Sequence, residues 1–165
     1  MIFRVAETGD VDAVARIISY ASTRLGRAGI DQWQRGYPNR QSIERDVEQG
    51  VGRVLCDGDE IVAYSAVIFT GEEAYRDITA GEWLTSGDYA VVHRLCVAEN
   101  RVGEGLSREF MLRVEQLARD NAMPSLRIDT HPDNRIMQRL ISSLGFTYCG
   151  DVVIESRRLA YEKIL

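Results

Sequence analysis

Residues 91–106, Val-Val-His-Arg-Leu-Cys-Val-Ala-Glu-Asn-Arg-Val-Gly-Glu-Gly-Leu, constrain the fold more than any other stretch of this chain. Val91, Val92, Leu95, Cys96 and Val97 form an apolar, β-prone run broken only by His93 and Arg94. From Leu106 the period lengthens, and Leu106, Phe110, Met111, Val114, Leu117 and Ala118 recur at helical spacing. Between the two lies a turn with Gly103 and Gly105. A helix entered from such a turn presents unpaired backbone N–H groups and a partial positive charge, a setting suited to a phosphate.

The flanking sequence reads as strands and helices around that unit. Residues 2–6 make a first strand, and Thr8 or Asp10 is placed to cap the next helix. Val11, Val14, Ala15, Ile18 and Leu25 mark its inward face, and Gly26 and Gly29 end it. A loop over 31–38 carries Trp33 and Tyr37. Asn39 caps a second helix, with Ile43 and Val47 inward and Gly50 as its stop. Strands over 51–56 and 61–69 are joined by the hairpin signal Asp57-Gly58-Asp59. A polar, irregular excursion over 70–87 holds Tyr75 and Trp83. The central strand at 89–97 and its helix come next, then a strand over 126–130. Pro132 and Asp133 open another helix, with Ile136, Met137, Leu140, Ile141 and Leu144 inward and Gly145 as its cap. Strands over 146–154 and 159–164 close the chain around a turn near Glu155 and Ser156. The expected fold is a mixed α/β (α+β) single domain over 1–165, with a mixed, mostly antiparallel sheet of about seven strands flanked by four helices.

Net charge is −5, and the sequence has no basic run and no interleaved basic-aromatic stripe, which argues against nucleic acid as a partner. The first residues lack the apolar core of a signal peptide, and no run approaches a membrane span, so a cytoplasmic protein without membrane contact is expected. Cys56, Cys96 and Cys149 are odd in number and widely spaced, as for reduced structural thiols. With two histidines and no Cys-x-x-Cys, a metal site is not expected.

This order of elements, with three groups of residues, resembles the GNAT superfamily of acetyl-CoA-dependent N-acyltransferases over essentially the whole chain. Leu95-Cys96-Val97 stands where the superfamily's central strand carries a bulge whose backbone pairs with the pantetheine arm, a form of strand addition. Asn100-Arg101-Val102-Gly103-Glu104-Gly105 is similar to the pyrophosphate loop Gln/Arg-x-x-Gly-x-Gly/Ala, continued by Leu106 and Ser107. Asn100 departs from that pattern, and the neighbouring Arg101 is a candidate to supply the charge. Asn134, with Gly145-Phe146 eleven residues on, stands where the superfamily places an asparagine against the cofactor and a closing Gly-Phe. A plain N-cap is the alternative role for Asn134. A narrower likeness to one bacterial branch lies in Gly29-Ile30-Asp31-Gln32-Trp33, Tyr37-Pro38, 127–131 and 158–162.

The resemblance implies direct transfer of an acetyl group from acetyl-CoA to an amine within a ternary complex. It identifies His93, two residues before Leu95 and so on one face of the alternating strand with it, as the candidate general base. Cys96 reads as core rather than nucleophile. The tyrosine many members use as general acid is replaced by Ile141, with Tyr148, Tyr89 and His131 as substitutes. Trp33, Tyr37 and Trp83 are candidates to wall an acceptor pocket with Tyr89. Asp129 is open to two roles, holding a substrate ammonium or pairing with Arg94. The expected acceptor is a small-molecule amine. A protein lysine or N-terminal acceptor and a non-catalytic acetyl-CoA-binding module are the alternatives. The closing strands over 152–165 offer an edge for a homodimer.

Overall fold

In a computed structural model describing residues 1–165, the stretch at 91–106 forms a strand, a glycine turn and the start of a helix. The elements are β1 (Ile2–Val5), α1 (Val11–Arg27), α2 (Arg40–Glu48), β2 (Gly52–Asp57), β3 (Glu60–Ile68), β4 (Ala90–Val97), α3 (Leu106–Asp120), β5 (Ser125–Thr130), α4 (Arg135–Ser143), β6 (Thr147–Ile154) and β7 (Ser156–Ile164). Three short 3-10 turns, Thr8–Asp10, Glu73–Asp77 and Glu99–Arg101, join them. The seven strands run in the order β1-β2-β3-β4-β5-β7-β6.

The chain packs as two compact units, which divide β4 between His93 and Arg94. The first comprises Met1–Val67 and Arg94–Arg113. Here β1 and β2, then β2 and β3, pair antiparallel, with Asp57 opposite Glu60 at the tight hairpin the sequence signals. α1 presents Val11, Val14, Ile17 and Ile18, and α2 presents Ile43, to an apolar core that includes Val54, Cys56, Tyr64 and Cys96. Burial of each large aliphatic side chain there stabilises the unit by about 1.5–3 kcal/mol. Asn39 caps α2 as expected, accepting from Ser42 N–H. Ahead of α1, Asp10 accepts from Glu7 N–H and pairs bidentately with Arg4, so Glu7 rather than Thr8 opens the 3-10 turn.

The second unit comprises Ile68–His93 and Val114–Leu165. β4 and β5 run parallel over Ala90–Val92 and Leu126–Ile128, and β5, β7 and β6 follow antiparallel. The β6–β7 hairpin turns on Glu155 alone, at φ +62°, so β7 begins at Ser156, earlier than the apolar pattern indicates. β7 is flanked by β5 and β6, so the edge expected over 152–165 narrows to β6. Part of that edge is occupied, since Thr79 and Asp151 exchange backbone hydrogen bonds at 2.9 and 2.8 Å. In α4 the stripe Met137, Leu140, Ile141 and Leu144 recurs at three- and four-residue steps. Ile136 lies beside that stripe and is 68% exposed, against the expectation that it faces inward.

The irregular excursion is tied down by a carboxylate. Glu162 is fully buried and accepts from Leu84 N–H, Thr85 Oγ1, Ser125 Oγ and Arg127 Nε at 2.6–3.0 Å. Arg127 also donates to Thr85 O at 2.7 Å, and its guanidinium lies 4.2 and 3.7 Å from the ring centres of Trp83 and Tyr89. On the outer surface of this unit, Lys163 Nζ meets Glu115 Oε2 at 2.5 Å.

Candidate active site

The glycine turn in the first unit leads from β4 to α3. Gly103 and Gly105 hold φ values of +92° and +77°, and no atom lies within 4 Å of where a Cβ would stand on either. Glycine adopts this conformation without strain and leaves the backbone open to approach. Residues 102–105 are exposed, Leu106 is buried and Ser107 is half-buried at the start of α3, where Gly105 O accepts from the Arg108 and Glu109 amides. Side chains stiffen the turn from outside. Arg101 is bound by Asp57, Glu60 and Glu104 at 2.8–3.0 Å, and Asn100 donates to Glu60 at 2.8 Å. Its charge matched three times over, Arg101 anchors the loop rather than standing as a free cation.

Just upstream, Arg94 sits inside β4 at φ +63°. A left-handed residue other than glycine costs about 1–3 kcal/mol and persists only where its surroundings fix it. Here Arg94 Nη2 and Nε meet Asp46 at 2.5 and 3.1 Å, and Tyr37 Oη accepts from Nη1. Tyr64 donates to the same aspartate. Arg94 thus pairs with Asp46 and not with Asp129. This kink also breaks the two-residue alternation, so it no longer places His93 and Leu95 on one face. Leu95 and Cys96 are buried and Val97 half-buried. Burial raises the Cys96 thiol far above its usual range, which removes it as a thiolate nucleophile. Trp33 packs on the apolar core of this unit, and Ser22 donates to its carbonyl.

His93 belongs to the second unit. Its side chain is 14% exposed, with Nε2 2.8 Å from Glu72 Oε2 and Nδ1 3.9 Å from Asp129 Oδ2. Asp129 also accepts from the buried Tyr75 hydroxyl at 2.6 Å. Burial first, then the charge of Asp129, pushes the Tyr75 phenol well above its usual value, so it stays a donor. Rings of Trp83 and Tyr89 lie 5.1 and 6.3 Å from that of Tyr75. Trp83 thus stands in the aromatic cluster around Tyr75. Tyr89 does line a cavity of about 350 Å³, together with Phe69, Thr70, Glu72, Glu73, Arg76 and Asp88. The sequence does not single out Glu72 and places Tyr75 only in the irregular excursion, because both sit in an aperiodic segment whose partners are distant.

The other named residues are placed as follows. Asn134 Oδ1 accepts from Met137 N–H, the N-cap role. Ile141 is fully buried, Tyr148 donates to Asp151, Tyr89 donates to Glu72 O, and His131 Nδ1 accepts from Asp133 N–H.

The acetyltransferase (GNAT) family model matches residues 20–146. A GNAT-family acetyltransferase of Streptococcus agalactiae is 35% identical, with 99% of this chain and 95% of that one covered and a TM-score of 0.92. Two more distant structures share the fold. Ribosomal-protein-alanine N-acetyltransferase from Brucella melitensis is 20% identical, with both chains covered in full and a TM-score of 0.72. PaiA N-acetyltransferase of Thermoplasma acidophilum, solved in complex with coenzyme A, is 12% identical over 99% and 98%, with a TM-score of 0.75. No curated protein matches the sequence. Matched along most of its length by the family model and almost end to end by a relative at 35% identity, the chain belongs to the GNAT family and is an acetyl-CoA-dependent N-acetyltransferase.

Proposed function

We propose that the acceptor is the primary amine of a small molecule and that His93 is its base. The observation that carries this reading is the cavity lined by Glu72, the hydrogen-bond partner of His93. It is lined by three carboxylates, Glu72, Glu73 and Asp88, against a single guanidinium, Arg76, with Tyr89 and Phe69 as aromatic walls. That balance favours an ammonium over an anion. A volume of about 350 Å³ lies at the small end of ligand pockets, which supports a small acceptor over a peptide. Glu72 links the cavity to the base, since one of its oxygens accepts from His93 Nε2. A carboxylate only accepts, so the proton of the neutral ring sits on Nε2 and Nδ1 is the atom that takes the proton from the amine.

The turn fits the acyl donor in its open glycine positions at the entry to α3, where a helix N-terminus favours an anion. Asn100, Arg101, Val102, Gly103, Glu104, Gly105, Leu106 and Ser107 would hold the pyrophosphate, chiefly by backbone. Leu95, Cys96 and Val97 would meet the pantetheine arm, and Asn134 would contact the cofactor from the N-terminus of α4. Acetyl-CoA supplies the activated acyl carbon when bound. No acyl-enzyme is invoked, in keeping with the buried Cys96 thiol. Three free, buried cysteines support a reducing compartment, the cytoplasm, and no helix is long and apolar enough to cross a membrane.

The test is thiol release from acetyl-CoA over a panel of amines, amino acids and peptides, with wild type and His93→Ala. Turnover on small cationic amines, lowered about 10²–10⁴-fold in His93→Ala, is expected. Preference for peptides, or full turnover in the variant, would sink the reading.

A further inference from the structure

We propose that Arg94 is a positioning residue whose clamped side chain holds the left-handed kink of β4 and so sets the Leu95 and Cys96 amides for the acyl donor. The proposal rests on the assignment of 95–97 to the pantetheine arm. The kink occupies a position where a strand normally accepts only glycine, yet the chain places arginine there, at φ +63°. The side chain is 10% exposed and fully engaged. Asp46 of α2 takes Nη2 and Nε, and Tyr37 of the preceding loop takes Nη1. Asp46, itself 6% exposed, is fixed in turn by the Tyr64 hydroxyl from β3. Two separate elements thus hold the guanidinium directly, and a third holds Asp46, at the one strained residue of the strand. An arginine needed only for its charge would not have to carry this backbone conformation. A residue kept only for the backbone conformation would be glycine, with no need of three hydrogen bonds. The two features together describe a kink that the ion pair holds in place.

Glycine separates the clamp from the conformation it enforces. The informative pair is Arg94→Ala and Arg94→Gly, each combined with Asp46→Asn so that no buried charge is left alone. Coenzyme A binding is read by calorimetry, with folding checked by circular dichroism. The alanine double variant is expected to bind at least tenfold more weakly than wild type, because alanine resists positive φ. The glycine double variant is expected to bind within about threefold of wild type. Equal affinities in the two would overturn the proposal. Should the double variants not fold, amide hydrogen exchange in Tyr37→Phe replaces them. Faster exchange at Leu95 and Cys96 supports the clamp, and unchanged exchange overturns it. Gly103→Val serves as the control for the underlying assignment. If it binds coenzyme A as wild type does, the cofactor site is misplaced. If it loses binding while the alanine double variant keeps it, only the clamp fails.

Discussion

Glu72 and His93 meet at 2.8 Å although 21 residues separate them. The contact fixes both the tilt of the imidazole and its tautomer, and Glu72 is itself steadied. Its other carboxylate oxygen accepts from Ala74 N–H, and its backbone amide donates to Tyr89 Oη. Removing the carboxylate leaves the ring present but poorly aimed. Glu72→Ala is expected to lower kcat/KM about 10–100-fold with coenzyme A affinity unchanged. Steady-state kinetics beside calorimetry decide the matter, and a matched loss of cofactor binding would point to collapse of the loop.

The carboxylates at the mouth of the cavity act at longer range. Glu73 and Asp88 are both exposed, so their influence on a cationic acceptor is electrostatic and screened by salt. Asp88→Asn with Glu73→Gln is expected to raise acceptor KM about fivefold and to leave kcat within a factor of two. The gap should narrow in 0.5 M salt, about three times the physiological ionic strength. A loss confined to kcat, insensitive to salt, would contradict this role.

Glu162 is the buried anchor of the excursion that carries Tyr75, Trp83 and Glu72. Burial alone would raise its carboxyl, but hydrogen bonds from Ser125, Thr85 and Arg127 outweigh that and hold it below the usual value. Glu162→Gln leaves the Arg127 guanidinium buried beside a neutral group. A cost of about 3–5 kcal/mol is expected in urea unfolding at neutral pH. A cost below about 1 kcal/mol would mean that water enters and rescues the arginine.

Asp10 gives the acid side of the stability profile a defined contributor. Its pairing with Arg4, and then the Glu7 amide, hold its carboxyl below the ordinary 3.8 despite partial burial. The folded value is the depressed one, so the contribution is complete above about pH 3.8 and is lost as pH falls through the lower folded value. Asp10→Asn is therefore expected to cost about 1–2 kcal/mol at pH 7, with the difference from wild type shrinking as pH falls through the lowered folded value. Urea unfolding at a series of pH values reads it directly. A difference that persists undiminished in acid would assign the effect to packing.

The order of elements was legible because each is signalled locally. Apolar runs either side of the Asp57-Gly58-Asp59 turn mark β2 and β3, an asparagine cap and a glycine stop bound α2, and two glycines mark the turn before α3. What escaped is what depends on distant pairing. Nothing near Arg94 in sequence announces Asp46 or Tyr37, and strand alternation could not foresee a left-handed arginine. The 70–87 segment lacks a period because it is held by Glu162 and Arg127 and not by an apolar face of its own. The surroundings of the aromatic residues are likewise set at long range: Trp33 packs on the core of its unit, and Trp83 lies against Arg127.

Lys163 is the single lysine among 20 cationic side chains, and its ammonium is held by Glu115. Every other side-chain cation is a guanidinium, which stays protonated and is no nucleophile at working pH. A protein that handles reactive thioesters therefore carries almost no amine on its own surface to intercept them. Its sole ε-amine must break an ion pair and lose a proton before it can compete with the acceptor. Arginine in place of lysine gives the same solubility and ion pairing while making the enzyme a poor target for its own chemistry.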